Sequence, residues 1–345
     1  MAEAKNRLQA LDALRGIAAL GVVLFHYLPY YNELYGHSFT PPEILEFGRY
    51  GVHLFFMLSG FVIFMTLERT DKPVWFGLAR AFRLLPALWV GIILTFFAVH
   101  ALGPDDRSVS LGTALLNFTL LHSYLDHAHV DGAYWSLVIE VTFYAWMALL
   151  FYSLKSWQQL RWIFLAWVII SYAAVIIQAK NMSPAFAFIT YDLLFARYAP
   201  LFISGILLYR WHKTGSLAVS EIIFLGFSVS HALIAYPAPF NLFVIGCYGV
   251  FILAISGYLD FIVNKTTLWL GSLSYSLYLV HQNIGYGIIN HGYAAGLSGE
   301  IAVSIAIGVS LTLAMIIHYY IEKPALIWFR NKRRKATSVS AIPQA

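Results

Sequence analysis

Runs of about 20 mostly apolar residues recur along the chain with short polar breaks between them, and a helix needs roughly that length to cross a bilayer. Such runs occupy residues 12–30, 49–68, 84–102, 134–152, 162–179, 191–210, 218–236, 240–259, 269–289 and 299–320. The stretch 110–125 is too short and polar for another span and is expected to be re-entrant or interfacial. The pattern predicts an all-α, polytopic integral membrane protein with about ten transmembrane helices. No linker, repeat or low-complexity tract divides it, so one membrane domain is expected over 1–330, followed by a basic, polar, disordered cytoplasmic tail over 331–345.

Composition sharpens this picture. The chain is 60% apolar and only 11% charged, against about 45–50% and about 25% in soluble domains, and a soluble globule of that kind could not cover its own surface. A single cysteine, Cys247, excludes an intramolecular disulfide framework and any cysteine-built metal centre. Chemistry therefore falls to His, Glu, Arg and hydroxyl groups, and no metal is expected. The formal charge of +5 suits the cytoplasmic loops of a membrane protein better than a nucleic-acid surface. With the N-terminus inside, all 22 Lys and Arg residues except Arg49, Arg107, Lys180 and Arg197 fall on cytoplasmic segments or helix ends. Both termini are thus expected in the cytoplasm. Asp12 and Arg15 interrupt the one stretch that resembles a signal peptide, and no small-residue cleavage site follows, so the first helix is expected to stay uncleaved.

Ionisable groups inside spans are costly and face a cavity or a partner, so the few present point to function. Arg15 and His26 stand eleven residues apart in the first span. That is about three turns with a residual rotation of about 20°, which puts both on one stripe about 16 Å apart along the axis. Asp12, one turn earlier, is positioned to pair with Arg15. Glu140 lies about two turns below the outer start of its span and His26 about one turn below the outer end of the first, so the two share a depth. A carboxylate beside an imidazole fixes its tautomer and stabilises the imidazolium, as a general base requires. A purely structural His–Glu bond between helices is the equal alternative.

Arg80 and Arg83, three apart on WFGLARAFRLLPALW, share a helical face that can clamp phosphates from the inner side or anchor the interface. Pro86 is expected near the start of the third span, where its missing N–H costs little. His281 either lines the same cavity or is a satisfied core histidine. His122, His127 and His129 match no ordinary metal spacing and read as exposed loop histidines. Gly51, Gly60, Gly77 and Gly91 read as close helix contacts. Aromatic residues near span ends form an interfacial belt, and a few on the outer side can stack on sugar rings.

Several motifs then follow one another between residues 11 and 281. LDALRGIAALGVVLFHY carries Arg15 and His26, and VHLFFMLSGFVI carries Phe55, Phe56, Leu58, Ser59, Gly60 and Phe61. The Arg80-x-x-Arg83 pair is followed by Leu84 and Pro86. WSLVIEVTFY carries Trp135, Ser136, Leu137, Glu140, Phe143 and Tyr144, and LGSLSYSLYLVHQ carries Tyr275, Ser276, Leu277, Tyr278, Leu279 and His281. In this order the set resembles the acyltransferase-3 family of bacterial membrane O-acyltransferases, of the exopolysaccharide and lipopolysaccharide O-acetyltransferase type. Two family prolines are missing, one after the WSLxxExxFY motif and one after the late histidine, where Gln282 and Asn283 stand instead. No extracytoplasmic hydrolase-like domain follows, so the membrane domain is expected to complete transfer itself.

The resemblance implies a bacterial inner-membrane enzyme. Acyl-CoA, most often acetyl-CoA, would bind from the cytoplasm with its phosphates near Arg80, Arg83 and Arg15. Ser136, Tyr144 and His281 are implied along the donor's path, the first two as candidate donors to an oxyanion. His26 would deprotonate a sugar hydroxyl at the outer side with Glu140 orienting its ring, and an acetyl-histidine intermediate stands as a variant. The implied acceptor is a cell-surface polysaccharide or its lipid-linked precursor. Two other classes use the same buried residues: a transporter of protons or of a glycan intermediate, and a glycan-export scaffold without chemistry.

Overall fold

A computed structural model of the chain describes residues 2–154 and 156–339. Lys155, residues 340–345 of the expected tail, and the side chains of Lys5 and Arg7 lie outside the described residues. Among the described residues there is helix and no strand. The longer elements are α1 (Ala2–Phe25), α2 (Gly51–Glu68), α3 (Pro73–Leu102), α4 (Leu111–Asn117), α5 (Trp135–Leu154), α6 (Trp157–Ile177) and α7 (Ala199–Thr214). They continue with α8 (Val219–Ala235), α9 (Phe240–Ile255), α10 (Lys265–Val280), α11 (Gln282–Ala294), α12 (Gly299–Ile317) and α13 (Lys323–Val339).

Among the described residues six helical stretches are long and apolar enough to cross a membrane: Gln9–Leu34, Glu43–Glu68, Pro73–Leu102, Gly132–Leu154, Trp157–Ile177 and Gly299–Ala336. α8 and α9 are shorter apolar helices. The protein is thus all-helical and polytopic, and its burial pattern is that of a chain solvated by lipid. Ile176 and Leu242 are 69% and 64% exposed, while Ser171 and Ser204 are fully buried. The buried hydroxyls are satisfied inside their own helices, Ser204 donating to the Pro200 carbonyl at 2.7 Å and Ser171 to that of Trp167 at 2.9 Å. Lipid cannot hydrogen-bond, so polar groups must find partners within the protein.

Four sequence expectations change. The run 191–210 is not one helix: α7 starts only at Ala199, behind a π turn over Phe188–Leu193, because Pro200 in its first turn cannot extend the hydrogen-bond ladder upstream. The run 269–289 breaks at His281 into α10 and α11. Pro86 lies well inside α3, which begins at Pro73, so Arg80 and Arg83 ride on the same rod as the third span. The tail is helical as far as Val339. The first span also has an irregularity that its periodicity hides. α1 passes directly into a π turn over His26–Tyr30 that contains Pro29. Proline has no N–H for the carbonyl four residues back, and the wider π pattern accommodates that gap.

The chain clusters into two compact units that interleave in sequence. The first comprises Met1–Pro29, Pro42–Arg69 and Ser136–Ser272; the second comprises Tyr30–Pro41, Thr70–Trp135 and Leu273–Ala345. In the first unit α2 crosses α7 at two glycines. A Cβ on Gly60 would strike the Phe202 carbonyl, and one on Gly205 the Met57 carbonyl. Gly205→Ala is therefore expected to cost about 1–3 kcal/mol, read as a lower Tm in detergent. An unchanged Tm would mean that the two helices can spread without loss. In the second unit Gly91 of α3 packs on Tyr134 and Leu279, whereas Gly77 meets nothing within 4 Å and makes no helix contact of the kind expected.

Candidate active site

In the first unit His26 opens the π turn at the end of α1. Its Nδ1 lies 2.9 Å from the Val22 carbonyl one turn earlier. A carbonyl can only accept, so Nδ1 carries the hydrogen and Nε2 the lone pair. Glu140 was expected to orient this ring, yet at Nδ1 the orienting partner is backbone. The Glu140 carboxylate is held elsewhere: its Oε1 accepts from Ser59 of α2 at 2.8 Å and from Tyr144 on its own helix at 2.5 Å. Tyr144, expected as an oxyanion donor, thus spends its hydroxyl hydrogen on Glu140. Ser136 is buried in the first turn of α5. Arg15 donates from Nε (3.2 Å) and Nη2 (2.7 Å) to the Gly271 carbonyl of α10, and Asp12 lies 3.5 Å from it as expected. This close approach depends on glycine, since a Cβ on Gly271 would strike the Asp12 backbone.

In the second unit Arg80 and Arg83 are both half-buried on α3. Arg83 forms an ion pair with Glu322, and its guanidinium lies 5.3 Å from the Tyr275 ring centroid. Much of the late motif works as a latch. The hydroxyl of Tyr275 donates to the Leu84 carbonyl at 2.8 Å, that of Tyr278 to Ala133 at 2.8 Å, and Ser276 donates to Glu322 at 2.7 Å. His281 is fully buried at the break between α10 and α11, with Nδ1 2.9 Å from the Tyr278 carbonyl. The freed end of α11 is capped from outside the helix. The Asn283 N–H donates to Asp131 Oδ2 at 3.0 Å, while Asp131 Oδ1 takes the Ala133 N–H at 2.9 Å. Burial pushes the Asp131 carboxyl up to about 6, against the pull of those two N–H groups.

Of the three loop histidines, His127 is exposed as expected, His129 is half-buried and His122 is not exposed. His122 is fully buried and its Nε2 lies 2.7 Å from Nδ1 of His129. Burial first, then the neighbouring His129 and His127, hold His122 down at about 4. The two rings spend nitrogens on each other. Among the described residues no group of three or more His, Cys, Asp or Glu side chains could hold a metal ion.

Three polar residues of this framework escape a reading of the sequence for buried charge: Ser59, Asp131 and Glu322. Ser59 sits inside the LSG of an apolar helix, Asp131 precedes Gly132 at a helix start where a cap is favoured, and Glu322 closes the last apolar run. The first unit also carries an open pocket of about 810 Å³ between α1, the turn over Glu43–Tyr50, α2 and α9. Leu14, Ile17, Gly21, Phe47, Leu54 and Phe243 line it, with Cys247, and no acid, imidazole or hydroxyl does. Its lining suits hydrocarbon and supplies no acid–base chemistry.

Comparison with known proteins bears on what these groups serve. A family model described as an acyltransferase domain matches residues 8–320. The chain is similar to an O-acetyl transferase of Shigella phage Sf6, 27% identical over 155 residues that cover 40% of this chain and 44% of that protein. It is also similar to a putative O-acetyltransferase of Staphylococcus aureus, 26% identical, with 97% of this chain and 59% of that protein covered. A third relative is the exopolysaccharide production protein ExoZ of Rhizobium meliloti, 26% identical over 89% of this chain and 96% of that protein. The chain thus spans about half the length of the phage and staphylococcal relatives, 44% and 59%. No solved structure matches it.

Proposed function

The chain belongs to the acyltransferase-3 family, whose acyltransferase domain covers residues 8–320, and from that premise we propose that it is a membrane O-acyltransferase drawing on acyl-CoA. The acyl group, acetyl above all, would pass from a cytoplasmic donor to a sugar hydroxyl of a cell-surface polysaccharide or its lipid-linked precursor. The bacterial inner membrane is the site of action, and residues 1–330 work as one membrane domain. The names of the relatives support this reading: two are O-acetyl transferases, one of them putative, and one is an exopolysaccharide production protein.

The observation that carries the chemistry is the hydrogen bond from His26 Nδ1 to the Val22 carbonyl, which leaves Nε2 as the basic nitrogen. Nε2 takes the proton of the acceptor hydroxyl as its oxygen attacks the thioester carbon. The C–S bond then breaks, and the imidazolium returns the proton to the departing CoA thiolate. Glu140 favours the imidazolium through its charge. Arg80, Arg83 and Arg15 bind the donor's phosphates, for a guanidinium has five N–H donors and can serve a protein partner and a phosphate together. Ser136 is the candidate donor to the tetrahedral oxyanion, joined by Tyr144 when it releases Glu140, while the fully buried His281 serves the break between α10 and α11 rather than the donor's path.

Glu140→Gln keeps an oxygen for Ser59 and Tyr144 but loses the charge. It is expected to cut the transfer rate about tenfold, about 1.4 kcal/mol in the barrier, with CoA affinity kept. An unchanged rate would return Glu140 to a structural role. The reading itself is tested by titrating CoA into the purified protein in a calorimeter. Saturable binding is expected, whereas a transporter or an export scaffold needs none.

A further inference from the structure

The aromatic residues that follow the first span gather into one cluster within the second unit, and nothing in the chemistry above uses it. Its hub is Tyr31, 2% exposed, whose hydroxyl donates to Asn290 Oδ1 of α11. Four rings surround the hub, with centroids at 5.2 Å (Tyr35), 4.6 Å (His37), 5.8 Å (Tyr286) and 6.4 Å (Tyr293). Tyr286 is sealed, whereas Tyr35, His37 and Tyr293 are half-buried and leave part of their rings accessible. Gly36, at φ +82°, reverses the chain between Tyr35 and His37. The returning segment is pinned to α11, for the Tyr293 hydroxyl accepts from the Ser38 N–H at 3.2 Å and lies 2.8 Å from His37 Nδ1. The surface is thus ordered before any ligand arrives, which lowers the cost of binding one.

A charged pair borders the cluster. The turn over Asp105–Arg107 presents Asp106, whose carboxylate accepts from the Tyr35 hydroxyl at 3.2 Å, and Arg107, whose Nε lies 3.3 Å from both that hydroxyl and Asp106 Oδ2. Among the described residues neither Nη of Arg107 has a hydrogen-bond partner, and the Asp106 side chain is 58% exposed. Rings that only anchor a helix end at the membrane interface need no ion pair among them. Here an aromatic platform is edged by a carboxylate that accepts and a guanidinium with donors to spare. That set fits a sugar ring, whose C–H face packs on an aromatic ring and whose hydroxyls give to the one group and take from the other. The Asp106 charge beside Arg107 disfavours an anionic group, so the sugar it suits is neutral. We propose that this patch docks the acceptor glycan, holding a neutral sugar residue against Tyr35 with its hydroxyls on Asp106 and Arg107. Docking of an acceptor rests on the O-acyltransferase reading above. His26 and Tyr31 share the helical stretch Gln9–Leu34, so the patch begins on the element that carries the proposed base.

The test is glycan binding and transfer kinetics of the full-length protein in detergent, for wild type, Arg107→Ala, Tyr35→Leu and Asp106→Asn. The probe is the surface polysaccharide of the producing cell, stripped of its O-acyl groups with mild alkali. Arg107→Ala is expected to bind it about tenfold more weakly in a calorimeter and to raise its KM to match, with CoA affinity and kcat at saturating glycan unchanged. Tyr35→Leu keeps apolar bulk but loses the flat ring and its hydroxyl, and should weaken glycan binding about three- to tenfold. Asp106→Asn should weaken it about threefold; equal or tighter binding there overturns the assignment to a neutral sugar. Unchanged glycan affinity in Arg107→Ala or Tyr35→Leu, whatever the Tm, overturns the proposal, as does a wild type that binds no glycan or a variant that loses CoA affinity to the same extent. Should Arg107→Ala fail to fold, Arg107→Lys keeps the charge beside Asp106 but loses the fork and is expected to bind the glycan about threefold more weakly; unchanged affinity there overturns the proposal too. A wild type that shows these contrasts in glycan binding yet transfers no acyl group overturns the O-acyltransferase reading and leaves the docking site standing. Transfer without the contrasts does the reverse.

Discussion

His26→Ala is expected to lower acyl transfer by about 10²–10⁴-fold, the usual worth of a positioned general base, while the protein stays in the membrane and still binds CoA. The expectation separates chemistry from folding when CoA binding is read beside transfer, because a misfolded variant would lose both. The π turn is accounted for by Pro29, and the bond from Nδ1 to Val22 is local to one turn. Acetyl content of the surface glycan, together with CoA binding by the purified variant, reads both sides of the prediction. Normal acetyl content would sink the catalytic assignment. The same experiment separates the two chemical variants. If His26 were acylated first, wild type would release one equivalent of CoA from acetyl-CoA without any acceptor. In direct transfer no CoA appears until the sugar is added.

Arg80→Ala and Arg83→Ala should both weaken CoA binding by about 10–100-fold, the range for a lost charge-assisted hydrogen bond, and Arg83→Ala should harm the fold more. Removing Arg83 leaves the sealed carboxylate of Glu322 without its cation, and breaking a buried pair in this way costs about 3–5 kcal/mol. Arg80→Ala leaves that pair in place. A Tm lowered more by Arg83→Ala than by Arg80→Ala is the expected pattern. Equal CoA affinity in all three proteins would remove the arginines from donor binding. The two effects are not expected to add, since the residues lie one turn apart on α3.

Much of this was legible because charge is scarce in an apolar chain. Arg15, His26, Arg80, Arg83 and Glu140 stand out from their surroundings by cost alone, and run length placed most of the helices. What stayed hidden depends on contacts distant in sequence or on backbone detail. Glu322 is as costly as Glu140, but its partners on α3 and α10 cannot be read from HYYIEKP. The break at His281 is stabilised by Asp131, which caps α11 from a different segment. The tautomer of His26 is set by a backbone carbonyl, where side-chain chemistry pointed to Glu140. Pro86 misled because proline is usual in a first helical turn, and α3 tolerates it well inside.

The central claim is that this membrane domain moves an acyl group from CoA to a sugar hydroxyl through His26. It is tested most directly by incubating the purified protein with acetyl-CoA labelled in the acetyl group, with and without candidate surface glycans, beside His26→Ala. The account predicts label in the glycan and stoichiometric free CoA with wild type, and neither above background with the variant. Label transfer that survives His26→Ala, or wild-type protein that binds acetyl-CoA yet labels no glycan of the producing cell, would contradict it.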